Sequence, residues 1–139
     1  RRGNGTVDVV PMPKTGLPGA PLLAAVQAVI DAKRPVGLFP GAGALALAPT
    51  AVNTPVTAAL TLASGYTLAA ISPLATAAIQ SVFNKLAPGN TLVRNQLITA
   101  LLNVPGVTDV TLSAPAANVT CLVNATTLEL IMSGAITIS

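Results

Sequence analysis

Between positions 54 and 63 apolar and small polar residues alternate. Val56, Ala58, Leu60 and Leu62 fall on one side of an extended chain, and Thr57, Ala59 and Thr61 on the other. That period of two predicts a strand, Thr54 to Ala63, with one buried and one mildly polar face. From Ser72 to Leu86 the spacing changes to three and four, with Leu74, Ala78, Ile79, Val82, Phe83 and Leu86 recurring. This predicts a helix with Ser72 as N-cap and Pro73 as first helical residue. Ala87-Pro88-Gly89-Asn90 stops it, and a second helix is expected over Thr91 to Asn103, carrying Val93, Leu97, Ile98, Leu101 and Leu102 inward. Pro105-Gly106 ends that helix and opens a strand, Val107 to Leu112, with Val110 and Leu112 facing one way and Asp109 and Thr111 the other.

The flanking regions are patterned less sharply. Thr6 to Met12 reads as a strand stopped by Pro11 and Pro13, and Lys14 to Gly19 as a turn region. Pro21 opens a helix ending near Lys33, with Leu22, Leu23, Val26, Val29 and Ile30 at helical spacing. A strand is expected within Val36 to Ala48. Towards the end, Val119, Cys121 and Val123 alternate, and Leu128 to Leu130 and Ala135 to Ile138 read as last strands parted by a turn at Ser133-Gly134. The expected order is β-α-β, then β-α-α-β-β-β. The fold class is therefore α+β, small mixed sheets with helices packed on one side. Residues 1–52 are expected to form a βαβ subdomain and 53–139 a βααβ-type subdomain, or the two one compact unit.

Composition sharpens the functional picture. Charged residues make up 8% of the 139, against roughly 25% in an average globular protein. Residues 35–84 carry no charge at all. A spanning helix needs about 20 apolar residues without breakers. The uncharged stretch is punctuated by Pro40, Gly41, Gly43, Pro49, Asn53, Pro55, Gly65 and Pro73, so no membrane association is expected. A weakly charged surface invites association, which predicts a surface largely covered by partners. The face bearing Thr57, Ala59 and Thr61 is the expected partner-contact face. The opening Arg1-Arg2-Gly3-Asn4-Gly5 reads as a cut end or linker of something longer.

Catalytic chemistry finds little to stand on. The chain has no His, which removes Ser-His and Cys-His pairs and every His-bearing metal site. The four carboxylates, Asp8, Asp31, Asp109 and Glu129, are scattered along the sequence. Only a spatial meeting of Asp109 and Glu129 beside a cleft would revive an enzyme. Gly41-Ala42-Gly43 lacks the further glycine and the lysine of phosphate-binding loops. Cys121, the single cysteine, reads as a small core residue. Lys14, Lys33, Arg34, Lys85 and Arg94 are dispersed and not interleaved with aromatics, which argues against nucleic acid. The expectation is a structural subunit with no catalytic, cofactor-binding or metal residues and no cofactor. The competing class is a ferredoxin-like module that takes a small ligand or peptide on a sheet face.

Several segments carry a known pattern. Ala48-Pro49-Thr50 leads through Val56-Thr57-Ala58-Ala59-Leu60-Thr61-Leu62 to Gly65-Tyr66-Thr67. Then come Leu86-Ala87-Pro88-Gly89, Leu97-Ile98-Thr99-Ala100-Leu101-Leu102, Val104-Pro105-Gly106-Val107-Thr108-Asp109-Val110 and Leu112-Ser113-Ala114-Pro115. Together they resemble the C-terminal part of the baseplate J-like proteins of contractile-tailed phages, including the Mu-like and P2-like groups. The resemblance implies a wedge component of the tail baseplate, assembled in the bacterial host cytoplasm and contacting other wedge and hub proteins. It also implies self-association in a sixfold particle and a part in its rearrangement when the sheath contracts. A related injection machine, such as a pyocin-like particle, makes the same physical demands.

Overall fold

The computed structural model describes residues 6–33, 43–124 and 127–139. Its elements are β1 (Val7–Val9), α1 (Ala20–Lys33), β2 (Ala44–Ala46), β3 (Thr50–Leu62), α2 (Leu68–Phe83), α3 (Arg94–Leu102), β4 (Val107–Ala114) and β5 (Glu129–Ile138). They form a two-stranded sheet, β1-β2, and a three-stranded sheet in the order β4-β3-β5. The fold is α+β, as the sequence predicts.

The β1-α1-β2 unit is small. β1 and β2 run parallel, Val7 opposite Ala44 and Val9 opposite Ala46. Such a pair needs a crossover helix, which α1 supplies. The Gln27 side chain fastens the helix to β2. Its Oε1 accepts from the Ala46 N–H at 2.8 Å, and its Nε2 donates to the Ala44 carbonyl at 3.5 Å and to Asp31 Oδ1 at 3.2 Å. The primary amide thus pairs with β2 much as a neighbouring strand would. The strand expected within Val36 to Ala48 is three residues long, and positions 36–42 lie outside the described residues.

The second unit is built on β3. β4 lies antiparallel to it, with Ala59 opposite Thr111 and Thr61 opposite Asp109. β5 lies parallel on its other side, from Thr50 opposite Glu129 to Ala58 opposite Ile138. The alternation along β3 sorts its side chains: Val56 and Ala58 are fully buried, Ala59 and Thr61 exposed, and Thr57 half-buried. Helices α2 and α3 cover the buried face. Ile79 and Phe83 of α2, Leu97 and Leu101 of α3, Leu112 of β4 and Ile131 of β5 close the core around Val56. Each large aliphatic or aromatic side chain so buried contributes about 1.5–3 kcal/mol before entropy.

Four expectations are corrected. Helix α2 starts at Leu68, one turn before Ser72, with Thr67 as its N-cap and Pro73 inside it. The Thr67 carbonyl accepts from the Ala70 and Ile71 N–H groups, and the earlier start brings Ile71 into a buried stripe with Ala75, Ile79 and Phe83. Burial of Ile71 outweighs the cap signal of Ser72-Pro73, and the stripe rotates so that Leu74 is exposed. Helix α3 is shorter than Thr91 to Asn103, and Leu102 lies outside the core. Val119 to Val123 forms no strand but two isolated bridges, Leu92 with Val119 and Val123 with Leu128. Nor does the chain turn at Ser133-Gly134, because β5 runs straight through them. The cause is Pro55, which has no N–H for the ladder. The register jumps from Thr54 opposite Ser133 to Val56 opposite Ile136, and a Cβ on Gly134 would stand 3.1 Å from the Thr54 and Pro55 backbone. That glycine serves close approach between strands. The terminal order is therefore β-α-α-β-β.

Candidate functional site

Thr57, Ala59 and Thr61 lie on the middle strand of the larger sheet, on the face away from α2 and α3. Their cross-strand neighbours extend the same surface. Thr111 and Asp109 stand opposite Ala59 and Thr61 on β4, and Thr137 stands opposite Thr57 on β5. The Thr108 hydroxyl donates to the Thr61 carbonyl at 3.0 Å, pinning β4 where the register shifts by one residue. The result is an open sheet face of hydroxyl and methyl groups with Asp109 as its charge. Such a face sheds water at low cost, since no dense set of charges must be desolvated.

The edges of this sheet are less open than its face. Ala58 gives its carbonyl to the Ser139 N–H on the β5 side at 3.0 Å. Its partner Leu112 therefore turns its own carbonyl to the outer edge of β4. Arg94 takes that carbonyl, its Nη2 donating at 2.6 Å, while its Nε donates to the Pro115 carbonyl at 3.2 Å. The Arg94 N–H donates to Asn118 Oδ1 at 2.9 Å, so α3 is tied to the segment after β4 from both ends of one residue. At the other edge, the start of β5 is closed by its neighbours. The Gly89 N–H donates to the Glu129 carbonyl, the Glu129 N–H to the Leu122 carbonyl, and the Leu122 N–H to Glu129 Oε2 at 2.7 Å. Capped edges limit indiscriminate strand addition, which a protein this poor in charge has few other means to prevent.

A carboxylate pair does not form. Asp109 pairs with Thr61 and Glu129 with Thr50, near opposite ends of β3. At about 3.3 Å per residue they are roughly 35 Å apart. Among the described residues no group of three or more Cys, His, Asp or Glu side chains could hold a metal ion. Cys121 is half-buried against the core, and burial pushes its thiol pKa up against the lowering effect of backbone hydrogen bonds at Gly89 and Ile131. Hollows among the described residues include two of moderate size. One, of about 430 Å³, lies between the Met12 to Gly16 loop and the Gln80 to Asn84 end of α2. The other, of about 600 Å³, is lined by Lys85, Asn90, Asn95, Gln96, Thr99 and Asn103. Both lack aromatic walls apart from Phe83 in the first. No helix among the described residues is long and apolar enough to cross a membrane.

Comparison with protein families decides the lineage. The profile of the baseplate J-like protein C-terminal domain matches residues 54–139, and that of the baseplate J-like central domain matches residues 1–64. The chain belongs to the baseplate J-like family. The two matches overlap on β3, so the strand that organises the larger sheet is shared by both profiles. Membership gives this baseplate J-like chain a structural role in the phage tail baseplate, among other baseplate proteins. A comparison with curated proteins finds no match.

The sequence pointed to the Thr57, Ala59 and Thr61 face but missed Arg94 and Gln27. Both act on backbone carbonyls and amides, which every residue carries. No spacing rule could single them out.

Proposed function

We propose that this baseplate J-like chain is a wedge component of a contractile tail, joined to further copies of itself and to neighbouring wedge and hub proteins around a sixfold particle. Its contribution is contact surface that holds wedges together and shifts when the sheath contracts. The observation that carries this reading is the tandem of family matches, central domain then C-terminal domain, which together span residues 1–139. The exposed Thr and Ala face of β3 supports it, because a flat, weakly charged surface suits a broad protein contact. We further propose that the chain acts as two units, a βαβ arm and a β-α-α-β-β body, divided just before Thr50 rather than at the expected 52/53, because residues 50–52 already pair with β5.

The test is disruption of the gene in its phage or prophage, followed by electron microscopy of the tails. Tubes and sheaths without a distal plate are expected, restored by the wild-type gene, with gold-labelled antibody marking the tail end of wild-type particles. Intact, contracting tails that lack the protein would overturn the reading. Complementation with Ala59→Lys tests the face itself. Loss of plates with an unchanged melting temperature supports a contact role for the face, whereas normal tails assign the contact elsewhere.

A further inference from the structure

Helix α1 is apolar on its outer side as well as its inner one. Its residues of intermediate exposure are Leu23, Val26, Gln27, Ile30 and Asp31, which places two of its three polar side chains on the side that packs against the β1-β2 sheet. Its exposed side is Leu22, Ala24, Ala25, Ala28, Val29 and Ala32, closed at the end by Lys33. Val29 is 63% exposed and Leu22 37%, and the helix has no fully buried residue. A surface helix normally turns a polar side to solvent, and one apolar on its outer side belongs against another apolar element.

The outer stripe says which element fits. Leu22, Ala25, Val29 and Ala32 follow steps of three, four and three, the spacing of a helix-pairing seam. Large and small side chains alternate along it. If two copies of α1 cross antiparallel about a twofold axis near Gln27, Leu22 of each meets Ala32 of the other, and Ala25 meets Val29. Every large side chain then faces a small one, as close helix packing requires, and the contact is isologous. A parallel pair would set Leu22 on Leu22 and Ala25 on Ala25, leaving bulges and gaps. Charge agrees as well: the seam carries none, so two cationic chains meet without like-charge repulsion. The antiparallel crossing sets the C-terminal end of each helix dipole beside the N-terminal end of the other.

We infer that the outer face of α1 is a self-docking surface, seating the α1 of a second copy of this chain antiparallel in this register. The inference rests on the assembly reading only in that the assembly brings two copies together. A 14-residue helix is about 21 Å long and about 10 Å across. The pair buries on the order of 400 Å² in total, below the roughly 1,200 Å² of a stable isolated complex. The contact is therefore weak in dilute solution and closes at high local concentration.

Disulfide trapping tests it on the full chain with Cys121→Ser as background. Leu22→Cys and Ala32→Cys variants, oxidised separately at millimolar concentration, are expected to stay monomeric, because like positions lie about 15 Å apart along the antiparallel pair. Mixed, they should give the heterodimer. Self-crosslinking of Leu22→Cys alone, or no crosslink in the mixture, overturns the inference. Val29→Lys should weaken self-association in sedimentation equilibrium by about tenfold or more, since a charge is then buried unpaired. An unchanged constant in a variant that melts like the parent also overturns it. Particles that carry the protein at the tail end but show no mixed disulfide would sink this inference alone. A mixed disulfide in solution with no protein in the tails would sink the assembly reading alone.

Discussion

Arg94→Met is the sharpest probe of how the larger sheet is held. The substitution keeps an unbranched, apolar stem of similar reach and removes the guanidinium. Two charge-assisted hydrogen bonds disappear, to the carbonyls of Leu112 and Pro115. A hydrogen bond to a charged group contributes about 1.5–3 kcal/mol, and each carbonyl left behind must find water or stay unpaired. Arg94 is only half-buried, so water recovers part of the loss. A net destabilisation of about 3 kcal/mol follows, equivalent to ~10 °C in Tm for a chain of this size. Urea unfolding followed by circular dichroism measures it, with an unchanged m value as the sign that the unfolding reaction is the same. Arg94→Lys separates charge from geometry. An ammonium on a flexible stem does not reproduce the planar fork, so about half of the loss should remain. The freed outer edge of β4 should also increase light scattering on storage. Loss of less than about 0.5 kcal/mol in Arg94→Met, within the range of ordinary surface changes, would refute the edge-cap argument. Full recovery in Arg94→Lys would refute its reliance on the fork.

Two further outcomes are expected. Gly106→Ala places a Cβ 2.4 Å from the Tyr66 ring at a φ of +91°, so it should cost roughly 2 kcal/mol or more in chemical unfolding. The double variant with Tyr66→Ala should recover the steric part and leave the backbone part, and the absence of any coupling between the two would show that the ring moves aside freely. Cys121 has its thiol pKa raised by burial. Its stabilising contribution is therefore fully present below the unfolded thiol's pKa and is lost as pH rises through the folded one. Labelling by a thiol reagent at mildly alkaline pH should be slower in the folded chain than in urea, with its pH midpoint displaced upward. A folded-state midpoint at or below that of the unfolded chain would contradict the burial argument.

The parts of the fold that were legible in the sequence are those where one side chain after another reports the same surface. The alternation of Val56, Ala58 and Leu60 with Thr57, Ala59 and Thr61 marked β3, and the four-residue recurrence around Ile79 and Phe83 marked α2. What failed were signals carried by one or two residues. Ser72-Pro73 is a sound helix start, yet a buried Ile71 one step upstream decided the matter. Ser133-Gly134 is a sound turn, yet the glycine answers Pro55, some 80 positions earlier, across a parallel pairing that local patterning cannot reveal. The sidedness of β3, on which the candidate face rests, was legible because it follows from the alternation itself. The clamps made by Arg94 and Gln27 were not, because their partners are backbone atoms.

The parallel pairing of β3 with β5 also has a mechanical meaning. The strands point the same way, so the start of β3, where the chain arrives from β2, and the finish of β5 lie at opposite ends of the sheet. A pull that separates those two points runs along the strands. It loads the ladder from Thr50 opposite Glu129 to Ala58 opposite Ile138 in shear, with its hydrogen bonds sharing the force at once. By contrast, β3 and β4 are antiparallel, and a pull between the end of β3 and the start of β4 opens their bonds in sequence from one end. The chain thus has a stiff line of tension and a weak one, set by strand direction alone.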